Sequence, residues 1–142
     1  MNMNPDILQK IEAIFDEYRL QDRYVFGLAM ISTDGRLLGS IFSDEILLQR
    51  LAALFTDLHE IGSSLYEAYY RQNYAEACWI YFSEGYVIST RLNYGLVVAS
   101  MRFSSTVGGP FTGENLRRIA AYIETLISTG QEPPPVKWMV GF

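Results

Sequence analysis

The strongest constraint on this chain is the order in which its hydrophobic period changes. Helices repeat every 3.6 residues and strands every two, so a change of period marks a change of element. The helical period runs over residues 5–20. Strand-forming residues follow from Tyr24 to Phe42, broken by Asp34-Gly35. The helical period returns over residues 44–71. Three strand-like runs then lie between residues 76 and 103, and a last helical run covers 113–128. The order αββαβββα predicts an α+β fold. Five antiparallel strands form one sheet, sandwiched between a long helix and two shorter ones.

Local signals set the joints. Asn4 suits an N-cap, Pro5 the first helical position and Asp6 the first turn. Ile7, Ile11, Ile14, Phe15 and Tyr18 then form one apolar stripe. Asp34-Gly35 predicts a two-residue hairpin turn, so the first two strands are antiparallel neighbours. Glu84-Gly85 and Asn93-Tyr94-Gly95 predict turns that make the later strands a meander. Gly27 and Gly39 inside strands mark close packing or a bulge. Ser43 or Asp44 caps the long helix and Thr112 the last one. Leu116, Ile119, Ala120, Ile123 and Ile127 form the last helix's buried stripe.

Two segments look incomplete in a monomer. In the long helix, Leu47, Leu48, Leu51, Leu54, Phe55, Leu58, Ile61, Leu65 and Tyr69 make a wide apolar stripe. A helix over 44–71 spans roughly 40 Å at about 1.5 Å per residue. That exceeds a strand of five or six residues, so part of it overhangs its sheet or meets another surface. Gly62-Ser63-Ser64 makes a bend there plausible. The strand Ala77-Cys78-Trp79-Ile80-Tyr81-Phe82 has no polar face. Such a strand is either central and covered on both sides, or an edge that needs a cover.

Composition excludes several functions. The net charge is −5, and Lys10 and Lys137 are the two lysines. Nucleic-acid binding needs a basic stripe, and Arg117-Arg118 alone does not make one. An anionic membrane surface is excluded on the same ground, and no apolar run approaches membrane-spanning length. The N-terminus lacks a secretory pattern, so the expected location is cytoplasmic. Cys78 is the single cysteine, so no intrachain disulfide forms. Its apolar strand setting predicts a buried structural thiol. His59 is the single histidine and fits a surface or partly buried structural role better than a metal site. Gly108-Gly109-Pro110 lacks the lysine and spacing of a phosphate loop. No nucleophile elbow, Walker loop or dinucleotide fingerprint is present. No catalytic residue, metal or cofactor is expected. Ten tyrosines within a 14 % aromatic content point instead to a surface that meets other proteins.

After Thr129-Gly130 the composition shifts, which divides the chain into a domain over 1–130 and a Pro-rich aromatic tail over 131–142. Pro133-Pro134-Pro135 favours an extended segment leading away from the last helix. Trp138, Met139, Val140 and Phe142 are costly to leave in water. They are expected to dock on this protomer, its mate or a partner, against the ordering cost of the segment. The alternative is an idle, disordered end.

The chain resembles the roadblock family, named for a dynein light chain and including bacterial regulators of Ras-like GTPases. The resemblance covers about residues 5–128. Val25–Ser40, with its apolar strand, Asp34-Gly35 and second strand ending in small residues, resembles the family's opening hairpin. Gly95-Leu96-Val97-Val98-Ala99-Ser100-Met101 resembles its last strand, and the initial helix fits bacterial members. The resemblance implies a roadblock/profilin-like fold. It also implies a dimer in which long helices pack together and third strands pair. Members act as GTPase-activating partners, scaffolds or adaptors, with no transferable catalytic set. The expected role is therefore a homodimeric module that binds and regulates a Ras-like small GTPase. The alternative is an adaptor or assembly chaperone gripping a peptide or subunit unrelated to GTPases. A small-ligand sensor is the third class. Leu51, Leu58, Trp79 and Tyr81 are expected in the dimer interface. Arg50, Asp57, Tyr66 and Tyr70 are expected to face the partner, together with Trp138, Met139 and Phe142 of the tail.

Overall fold

The computed structural model describes residues 4–22, 24–41, 52–62, 64, 77–81, 85–102 and 112–139. Helix α1 (Pro5–Gln21) leads to strands β1 (Val25–Ser32) and β2 (Leu37–Ser40). Helix α2 covers residues 52–62, with 64 also helical. Strands β3 (Ala77–Tyr81), β4 (Gly85–Leu92) and β5 (Gly95–Arg102) precede helix α3 (Thr112–Thr129). The remainder of the predicted long helix, its caps and the Gly108-Gly109-Pro110 segment lie outside the described residues.

The start of α1 follows its sequence signals. Asn4 Oδ1 accepts from the Asp6 N–H at 2.8 Å, and Pro5 opens the helix. This answers one of the amide groups that helix geometry leaves without an internal partner. Ile11, Ile14, Phe15 and Tyr18 are all buried.

The first hairpin differs from its prediction. Gly35 N–H donates to Ser32 O at 3.0 Å, and Ser32 N–H donates to Arg36 O at 2.8 Å. The loop is therefore three residues, Thr33 to Gly35, with Gly35 at φ +82° as the left-handed residue. A four-residue turn followed by a left-handed glycine is the next commonest hairpin closure after the two-residue loop. Side chains help to select it. Asp34 accepts from the Ser32 hydroxyl and pairs with Arg36 at 3.1 Å.

The sheet order is β2-β1-β5-β4-β3, antiparallel throughout. Period-two alternation sends neighbouring residues to opposite faces. Leu28 and Met30 of β1, Ile88 of β4, and Val97 and Ala99 of β5 meet Ile11, Phe15, Leu116, Ile119, Ile123 and Leu126 of α1 and α3. Ile31, Leu96 and Val98 face the other way, onto Ala52 and Phe55 of α2. The sheet is thus sandwiched as the element order predicted. The apolar strand β3 sits at an edge rather than in the centre. Among the described residues no helix is long and apolar enough to cross a membrane.

Candidate functional site

Helix α2 carries more apolar surface than the sheet can cover. Ala52, Phe55 and His59, spaced at i, i+3 and i+7, are buried. Leu54 and Ile61 stay 56 % and 67 % exposed. Leu58 lies between them at i+4 from Leu54, half-buried against the α2-side core. Strand β3 adds Ile80 on this side, while Trp79 faces the α3 side of the sheet. Trp79 is 44 % exposed. Its ring stacks on Tyr86 with centroids 5.4 Å apart and planes 17° from parallel. An exposed helix stripe and an apolar edge strand are surfaces that a second protein covers.

Among the described residues, the buried polar groups beneath α2 are paired. His59 is buried, with Nε2 2.7 Å from Ser89 Oγ. This corrects the expectation of a surface or partly buried histidine. Position 59 continues the sheet-facing row, and the Ser89 hydroxyl makes burial affordable. Cys78 pairs with Ser89 in the β3–β4 register and is half-buried, not buried, because an edge strand has one open side. Burial pushes its thiol above the ordinary range, with the Ser89 hydrogen bond acting the other way. A thiol raised in this way stays protonated near neutral pH and is a poor nucleophile. Among the described residues no group of three His, Cys, Asp or Glu side chains is placed to hold a metal ion. A cleft of about 100 Å³ lies beside Thr56, His59, Glu60 and Arg91. Small-molecule sites run to roughly 300–1,000 Å³, so this cleft does not favour a sensor.

The tail forms the second surface. Instead of leading away from α3, it turns at Gly130 and runs back along that helix. Tyr122 donates to Glu132 at 3.3 Å, Arg118 donates to Lys137 O, and Asn115 holds Met139. Burial lifts the Tyr122 phenol, and Glu132 lifts it further. Val136 and Trp138 pack on the core between α1 and α3. The Trp138 ring lies 5.0 Å from Tyr18, and its Nε1 donates to Glu17 at 3.1 Å. The tail bends at Pro134 rather than leading away from α3, and its direction reverses. Apolar and hydrogen-bonding partners on α1 and α3 offset the ordering that an extended free segment would avoid.

The predicted site residues divide accordingly. Leu58 lies on the open α2 surface, Trp79 is partly exposed on the opposite face of β3 against Tyr86 and α3, and Tyr81 pairs with Tyr86 at the end of β3. Asp57 is exposed on α2. Trp138 and Met139 are half-buried in the docked tail. Leu51, Arg50, Tyr66, Tyr70 and Phe142 lie outside the described residues. Leu54 and Ile61 belong on the open surface but were not singled out from the sequence. Their signal was the stripe's excess width. Asn115 and Arg118 left no such signal, because their partners are backbone atoms far along the chain.

No family model and no curated protein matches this sequence. Solved structures do match it. Myxococcus xanthus MglB aligns with a TM-score of 0.76 at 12 % identity, over 95 % of this chain and 100 % of that one. An MglB with a tetrameric arrangement aligns with a TM-score of 0.78 at 10 % identity, over 91 % of this chain and 96 % of that one. A Roadblock/LC7 domain from Streptomyces avermitilis aligns with a TM-score of 0.65 at 9 % identity, over 91 % and 98 %. At these identities the likeness concerns the fold, and the fold is that of the roadblock family.

Proposed function

We propose that this chain, with its roadblock fold, is a non-enzymatic dimeric module that binds and regulates a Ras-like small GTPase. The carrying observation is the open surface made by Leu54, Leu58 and Ile61 of α2 beside the β3 edge. Large apolar side chains stand in water there, on a helix that already spends its other face on the sheet. A second copy offers the same helix and the same edge, which is the self-complementary arrangement of a two-fold dimer. The tetrameric arrangement of one MglB neighbour supports self-association in this fold. The GTPase partner is suggested by the roadblock resemblance; the MglB-like fold agrees with it but by itself names no partner. In this reading Leu51, Leu58, Trp79 and Tyr81 serve the dimer. Arg50, Asp57, Tyr66 and Tyr70 meet the GTPase, where Tyr and Arg are effective anchors.

The test has two stages. Light scattering at micromolar concentration should give a dimer, and the double variant Leu54→Glu, Ile61→Glu should give a folded monomer. Small Ras-like GTPases from the same cell should then bind the dimer in one nucleotide state in preference to the other. A monomeric wild type removes the reading. A dimer that binds no GTPase in either state passes the assignment to an adaptor or assembly chaperone.

A further inference from the structure

The α1–α3 surface holds the tail by a recognition geometry. Asn115 is 2 % exposed within α3. Its Nδ2 donates to Met139 O at 2.7 Å, and its Oδ1 accepts from Met139 N–H at 2.8 Å. One buried carboxamide thus pairs with a tail residue as a neighbouring strand would. Arg118 donates to Lys137 O. All these tail atoms are main-chain atoms, so the contacts grip an extended backbone whatever its side chains. Selection enters at Trp138, whose ring meets Tyr18 and whose N–H meets Glu17. The three prolines lower the cost of holding the segment extended. A main-chain clamp, an aromatic anchor and a proline-stiffened ligand are the parts of a linear-peptide site.

The connection to the domain also suits exchange. Gly130 turns at φ +70°, and a Cβ there would meet nothing within 4 Å. The turn is therefore unpacked by side chains and held by its own local hydrogen bonds, Gly130 N–H to Leu126 O and Gln131 N–H to Thr129 Oγ1. The groove lies on the face of the sheet opposite α2, so a copy held at α2 leaves it accessible.

We propose that the groove between α1 and α3 is a receptor for a linear peptide, occupied in cis by residues 132–139, and that its exchange occupant is the same segment of a second copy. The sequence that fits the groove is carried by every copy. A short tether gives the resident tail an effective concentration on the order of millimolar, so exchange in trans stays suppressed until the cis tail is loosened. This inference stands apart from the GTPase and from the α2 surface.

The probe is a fluorescent synthetic peptide of residues 131–142, titrated into the full-length chain. Full-length Trp138→Ala should stay folded, show random-coil amide signals for its tail, and bind the peptide about tenfold or more tighter than wild type as the internal competitor weakens. Adding Asn115→Asp should reduce that binding, because the carboxylate no longer donates to Met139 O. Arg118→Ala serves as the second variant if Asn115→Asp does not fold. A Trp138→Ala chain with a released tail that binds no peptide overturns the proposal, since the tail is then mere packing. A tail that remains docked in Trp138→Ala removes the anchor on which the proposal rests. Equal binding of an unrelated Pro-rich peptide overturns the choice of a second copy as occupant.

Discussion

Among the described residues, the two faces of the sheet are finished to different degrees. Under α1 and α3, large side chains such as Phe15, Tyr18, Ile119 and Leu126 are sealed from water, and the chain's own tail closes the remaining groove. Under α2, among the described residues, the buried apolar side chains are Ile31, Ala52, Phe55, Leu96 and Val98, beside the polar His59–Ser89 pair. Leu54 and Ile61 stand outside this group. The difference separates two uses of apolar area. Buried area on the first face stabilises one chain. Exposed area on the second lowers free energy only when another surface arrives.

The sharpest way to break this comparison is to truncate one aromatic on each face. Phe15→Ala should cost about 3–5 kcal/mol in urea unfolding, as for fully buried aromatics. Phe55→Ala should cost measurably less in the monomer. Equal costs would mean that the α2 face is closed as firmly as the other. Next in size is Trp138→Ala. A half-buried anchor with one hydrogen bond should contribute about 1–2 kcal/mol, read as a lower thermal midpoint with unchanged far-ultraviolet dichroism. A cost near zero would show that the tail adds nothing to the closed face.

A smaller effect comes from Cys78. Its folded pKa is raised, chiefly by burial. The neutral thiol is thus favoured in the fold. Its contribution is fully present below the ordinary thiol pKa and is lost as pH rises through the folded value. Stability should therefore fall more steeply at alkaline pH in wild type than in Cys78→Ala. Alkylation of the native thiol near neutral pH should also be slower than in the unfolded chain. The smallest effect is at Asp34, whose carboxyl is held below its ordinary range, first by the Ser32 hydroxyl bond and also by Arg36. Its contribution is present above the ordinary carboxylate pKa and is lost as pH falls through the folded value. Asp34→Asn should flatten that acid limb slightly. An unchanged limb would remove the side chain from the account of the hairpin.

Much of the architecture was legible because it depends on local periods. The row Ile11, Ile14, Phe15 and Tyr18 defines a helix face wherever the helix packs, and the alternation of Leu96 to Ala99 defines a two-faced strand. The hairpin was misjudged by one residue. Asp34-Gly35 signals a turn, but the Ser32–Asp34 and Asp34–Arg36 contacts select the longer loop, and these reach beyond the dipeptide. The candidate surfaces were less legible. Leu54 belongs to the same stripe as Phe55 in sequence, yet one is exposed and the other buried.

By itself the sequence determined the kind and order of elements, the helix start at Asn4-Pro5, the apolar excess of α2 and β3, and the lack of motifs for catalysis. All of these arise from neighbours within a turn or two of backbone, where propensity and period act. Tertiary structure decided that β3 is an edge, that His59 lies against Ser89, and that the tail turns back over α1 and α3. Each joins groups far apart in the chain, such as Trp138 with Glu17 and Met139 with Asn115. Such pairings depend on where packing places two distant backbones, and a single hydrogen bond adds only about 0.5–1.5 kcal/mol once they meet. They are consequences of the fold rather than instructions written in any local stretch.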